Sequence, residues 1–148
     1  MTAKTPLSRT SAPYNSAAVG GDWAAVSASR PTGRRLRGML TFTADMRYVE
    51  VRIHRNVPRF VSEVRRRGTD VENRAAMAAG IGMFGTYTVD ENGEFAGDRV
   101  EGSTFSNWIG SVRTRKELRI TVDGGDRMTE HLRRPHGTRG IIVMECVR

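Results

Sequence analysis

The sequence predicts an all-β, mainly antiparallel fold: an eight-stranded up-and-down β-barrel with one short helix inserted between strands 3 and 4. Three observations predict it. Apolar and polar residues alternate with a period of two along successive segments. Turn-forming clusters such as Asp90-Glu91-Asn92-Gly93 and Asp123-Gly124-Gly125-Asp126 separate those segments at short intervals. The single helical pattern is too short and too weakly apolar to cover an open sheet well, which favours a sheet closed on itself over an open sheet packed on the helix.

Taken in order, residues 1–18 mix Ser, Thr, Ala and Pro without periodicity and read as a flexible tail, leaving 19–148 as one domain. Ala24 to Ala28 forms a short first strand, broken by Arg30-Pro31-Thr32-Gly33. Arg35 to Thr43 is the second, with Leu36, Gly38, Leu40 and Phe42 on one side. After a turn at Thr43 to Met46, the third strand, Arg47 to Arg55, divides sharply. Val49, Val51 and Ile53 lie on one face, and Tyr48, Glu50, Arg52 and His54 on the other.

Asn56 to Gly68 is irregular. Thr69-Asp70-Val71-Glu72 fits a capping box, opening a helix from Asp70 to about Ala79. Its thin apolar stripe of Val71, Ala75 and Ala78 suits a helix on a surface or over an opening. Phe84 to Val89, the turn at Asp90 to Gly93 and a return strand to Ser103 form a hairpin. A turn at Ser106 to Gly110 follows, then a long strand from Val112 to Val122, a turn, and a short strand from Arg127 to Leu132. A loop from Arg133 to Gly140 leads to the closing strand, Ile141 to Val147.

Composition removes several function classes. The chain has 148 residues and a formal charge of +8, which raises the question of an anionic partner. The arginines are scattered along strands and strand ends, however, and no recognition helix, zinc finger or aromatic RNA-binding motif accompanies them, which argues against nucleic acid. Cys146 is the only cysteine, so no intrachain disulfide or thiolate cluster forms. Neither a signal-peptide pattern nor a membrane-spanning run is present, and a reducing cytoplasm is the expected setting. No metal-ligand spacing, phosphate-cradling loop, nucleophile elbow or dinucleotide fingerprint occurs, so neither metal nor cofactor is expected.

Gly21-Asp22-Trp23, Phe84-Gly85-Thr86-Tyr87, Val100-Glu101-Gly102-Ser103 and Asn107-Trp108-Ile109-Gly110 together resemble the bacterial and fungal lipocalin-like domain family. The resemblance covers roughly 19–147. It implies a lipocalin-like eight-stranded barrel whose early tryptophan plugs the closed end, often in secondary-metabolite pathways. The chain departs from the family pattern at Asp98, where a histidine is usual, at Ser106, where a proline is usual, and at Met83, where a tyrosine is usual. The family also favours apolar residues where this chain has Tyr48, Glu50 and Arg52.

Tyr48, Glu50 and His54 are therefore the candidate catalytic residues, a phenol, a carboxylate and an imidazole able to move protons from one strand face. Arg52 could hold a developing enolate or carboxylate. The competing reading has these four facing water while Val49, Val51 and Ile53 face the core. Further candidate ligand contacts are Thr86, Tyr87, Thr88 and Glu101 in the hairpin, Asn107 and Trp108 at a rim, and Lys116, which alternates with Leu118 and Ile120. The expected function is binding of a hydrophobic, polyketide-like intermediate and its cyclisation or isomerisation. A non-catalytic carrier is the alternative, and a homodimer through an arginine-rich sheet face stays open.

Overall fold

The computed structural model describes residues 20–29, 36–134 and 136–147. The expected N-terminal tail and the break at Arg30 to Gly33 lie outside them.

Among the described residues, nine strands form a single antiparallel sheet. They are β1 (Gly21–Ser29), β2 (Leu36–Phe42), β3 (Arg47–His54), β4 (Gly80–Val89), β5 (Phe95–Ser103), β6 (Val112–Thr114), β7 (Leu118–Asp123), β8 (Arg127–Arg133) and β9 (Arg139–Cys146). Their order is β6-β5-β4-β3-β2-β1-β9-β8-β7. The two end strands are consecutive in the chain, so the sheet curls nearly shut, with a seam between β5–β6 and β7 that no ladder crosses. The first and last strands, β1 and β9, pair in a ladder that runs from Trp23↔Cys146 to Ser29↔Ile141. Among the described residues no helix is long and apolar enough to cross a membrane.

The count of nine rather than eight comes from Val112 to Val122, expected as one strand. The Glu117 carboxylate accepts from the Thr114 amide at 2.8 Å and its hydroxyl at 2.6 Å, closing a tight turn over Arg115, Lys116 and Glu117. Arg115 is drawn aside to the Phe95 carbonyl at 2.8 Å and the Asp90 carboxylate at 2.6 Å.

The β4–β5 hairpin forms as its turn residues require. Gly93 takes a positive φ of 79°, and the Asp90 carboxylate accepts from the Asn92 and Glu94 amides. Gly85 is needed for a different reason. A Cβ there would stand 1.9 Å from the Arg99 carbonyl oxygen, where the β4–β5 register shifts.

Helix α1 (Asp70–Ala79) carries the expected capping box. The Thr69 hydroxyl accepts from the Glu72 amide at 3.3 Å, and the Glu72 carboxylate accepts from the Thr69 amide at 2.8 Å. No residue of α1 is buried. The Thr69→Ala variant is expected to lower the unfolding free energy by about 1 kcal/mol. A thermal melt reads this directly, and an unchanged Tm would contradict it.

One end of the barrel is packed solid. Trp23, Leu40, Phe42, Tyr87, Phe95, Met128 and Met144 are buried there in one cluster. Phe42 meets Tyr87 edge-on with ring centroids 4.8 Å apart and Phe95 at 6.1 Å. The opposite end is where the interior turns polar.

Candidate ligand site

The inward face of β3 is the polar one. Tyr48, Glu50 and Arg52 are 2%, 1% and 9% exposed, whereas Val49, Val51 and Ile53 on the other side are 52%, 44% and 43% exposed. The reading with the valines and Ile53 in the core is thereby excluded. Strand alternation carries the four polar residues in line from the aromatic plug, where Tyr48 pairs across from Phe42, to half-buried His54 at the open end.

Other strands bring partners to this line. Arg52 Nε approaches Glu50 Oε1 to 2.7 Å, without hydrogen-bond alignment, and its Nη1 lies 3.6 Å from Glu130 Oε2 on β8. Asp98 on β5 faces Arg113 on β6 in register. Arg113 Nε donates to Asp98 Oδ1 at 2.9 Å, and its Nη2 contacts Oδ2, so the pair is bidentate.

Burial opposes Arg113's charge, but its hydrogen bond to Asp98 and that residue's charge outweigh burial and hold it cationic. Burial, reinforced by the nearby Asp98, pushes the Tyr48 phenol up. Burial and then the charge on Glu50 push the Glu130 carboxyl up to about 8, against the pull of Arg52 and Arg113. Glu130 thus favours its neutral form, and two acidic groups, Glu50 and Asp98, lie against the two guanidiniums of Arg52 and Arg113. That balance lets five ionisable side chains share a barrel interior that would otherwise penalise each charge by several kcal/mol.

Above this belt opens a cavity of about 430 Å³. Arg52 and His54 line it, with an apolar wall that includes Leu36, Ile81, Leu132 and Ile142. The C-terminal end of α1 (Met77, Ala78 and Ala79) and the edge-on pair Phe105 and Trp108, 5.6 Å apart, complete the wall. The C-terminal end of the helix thus lies against the opening; of its expected apolar stripe Ala78 lines the cavity, whereas Val71 is 77% exposed.

The remaining sequence candidates are dispersed. Trp108 reaches the cavity, but Asn107 is exposed on the short 3-10 turn Ser106–Trp108. Tyr87 is buried in the plug and donates to the Thr43 carbonyl at 2.8 Å. Glu101 is outside, paired with Arg47 at 2.7 Å. Thr86 is half-buried, and Thr88 is exposed with its hydroxyl donating to Gly97. Lys116, expected to alternate inward with Leu118 and Ile120, stands exposed in the turn that divides the expected long strand.

Glu130, Arg113 and the role of Asp98 escape a reading by motif. For Glu130 a signal exists: Met128, Glu130 and Leu132 occupy alternate positions, which sets one carboxylate in the middle of an apolar face. The cavity walls from the β8–β9 connection carry no such signal.

No curated protein and no solved structure matches this chain. A barrel plugged at one end, polar in its middle and open to a cavity at the other is a small-molecule binding architecture. In agreement, a model of the lipocalin-like domain matches residues 22–136, and the protein belongs to that lipocalin-like domain family.

Proposed function

We propose that the protein binds an apolar, polyketide-like intermediate in the open end of its barrel and promotes its isomerisation or cyclisation. Arg52 carries the reading: a guanidinium almost wholly buried between two carboxylates that still lines the cavity beside His54.

In this scheme the His54 imidazole removes a proton from the carbon next to a substrate carbonyl. The electron pair moves onto the carbonyl oxygen, and Arg52 holds the resulting enolate. Return of the proton at another carbon gives an isomer. Attack of the enolate carbon on an electrophile of the same molecule, with the proton passing to that centre, closes a ring. The wall of the cavity supplies the folded conformer. Glu50 and Glu130 do not line the cavity, and act as positioning residues that orient Arg52. Tyr48 lies deeper, beside the Asp98–Arg113 pair, as a neutral phenol away from the cavity lining.

His54→Ala is expected to lower turnover about a hundredfold, in the range of a lost general base, with ligand affinity kept. Glu50→Gln should lower it less, by loosening Arg52. An unchanged rate in both variants would sink the catalytic assignment and leave a carrier of the same class of molecule.

A further inference from the structure

Cations gather where the cavity meets solvent. Arg134 and Arg139 both line it, from the two ends of the β8–β9 connection. Arg133 and Arg139 stand directly opposite one another in the last rung of that ladder. Like charges so placed destabilise a strand pair. The backbone leaves them little room to separate: the Arg134 amide donates to the Thr138 carbonyl at 2.9 Å, and the Gly137 amide to the Arg134 carbonyl at 2.9 Å. No described carboxylate comes within ion-pairing distance of Arg139, and none of the described residues lining the cavity is acidic. Below this rim the wall is apolar for the depth of Leu132, Ile142 and Ile81, until Arg52.

We infer that the ligand is an amphipathic acid, its apolar body inside the cavity and its acidic group held at the rim by Arg134 and Arg139. An anion there offsets the like charge that Arg133 sets opposite Arg139 and accepts a charge-assisted hydrogen bond from Arg139. The apolar body displaces water from the wall. This inference rests on the proposed use of the cavity and adds the charge and orientation of what enters it. A carboxylate at the rim leaves the opposite end of the molecule facing Arg52 and His54.

The test uses two fluorescent probes of one body, 11-(dansylamino)undecanoic acid and its primary amide, titrated into the whole protein at low salt. The acid should bind roughly fivefold more tightly, the scale of partly exposed ion pairs, and the preference should shrink as salt is added. In the Arg134→Gln/Arg139→Gln variant the two probes should bind alike. Arg65→Gln/Arg66→Gln, which removes equal charge from an exposed turn away from the cavity, should keep the preference. Equal loss in both variants would assign the effect to overall charge and overturn the inference. Equal binding of the two probes to the unmodified protein overturns it too, while leaving the cavity reading intact. If neither probe binds a folded protein, the cavity reading fails and this one with it.

Discussion

Replacing Arg52 with alanine is expected to lower the unfolding free energy by about 3–5 kcal/mol, the usual cost of stranding a buried charge. Arg52 is the cation nearest to Glu50, at 2.7 Å, and Glu50 is 1% exposed. With the guanidinium gone, the Glu50 carboxyl either stays buried without its ion-pair partner or pulls water through the cavity. Each route disfavours the fold. The Glu50→Gln/Arg52→Met variant should recover most of the loss, because it removes both charges and fills the volume. Glu50→Gln alone should be milder, since the guanidinium keeps Glu130, whose carboxyl then returns toward its ordinary range. Urea denaturation at neutral pH separates the three. A loss below about 1 kcal/mol for Arg52→Ala would place this pair in the energetic class of exposed ion pairs and contradict the buried belt.

The same residues mark how far the sequence could be read. The hairpin, the capping box of α1 and the antiparallel order follow from local signals: a turn with Gly93 in its last position, Thr69 three residues before Glu72, and alternation over successive segments. Local signals divide β3 into two faces and leave open which one is inside, because Val49, Val51 and Ile53 suit a solvent face nearly as well as a core. β-Branched residues favour strands on either side, and pairing holds them in place: Val51 faces Met39 and Gly82, and Val49 faces Phe84, whose ring lies over Gly102. The inside was decided elsewhere, by Asp98, Arg113 and Glu130, which supply the belt's remaining polar partners. Asp98 and Arg113 become neighbours only through the β5–β6 register, which no spacing in the chain encodes. The division of the expected Val112 to Val122 strand was nearer to legibility. Arg115-Lys116-Glu117 interrupts its alternation, and Glu117 sits where it can cap Thr114.

The Glu130 carboxyl makes stability depend on pH in a direction opposite to that of most acidic groups. Its ordinary value is 4.5, and in the fold it is pushed up to about 8. Between those limits the native protein holds a proton that the unfolded chain has released, so raising the pH favours unfolding. The slope is about 1.4 kcal/mol per pH unit across the window and vanishes above about 8, where both states are deprotonated. Burial contributes most to the effect, and Glu50, Arg52, Arg113 and Asp98 are the ionisable groups around Glu130 that modify it. Asp90 and Glu117 work the other way. Hydrogen bonds from Arg115 and from Thr114 respectively hold them below the ordinary range, so their contribution is present above it and is lost on acidification. Stability should therefore peak in mildly acid solution and decline toward pH 8. The decisive quantity is the difference between wild type and Glu130→Gln, measured by urea denaturation from pH 5 to 9. The glutamine keeps the shape and a neutral hydrogen-bonding group but has no proton to lose. It should be equal or slightly inferior to the wild type at pH 5, and the more stable of the two by a few kcal/mol at pH 8.5. A difference that stays constant over that range would mean that Glu130 enters the fold already charged. Arg52 would then be shared equally by two carboxylates and less able to serve a ligand in the cavity above it.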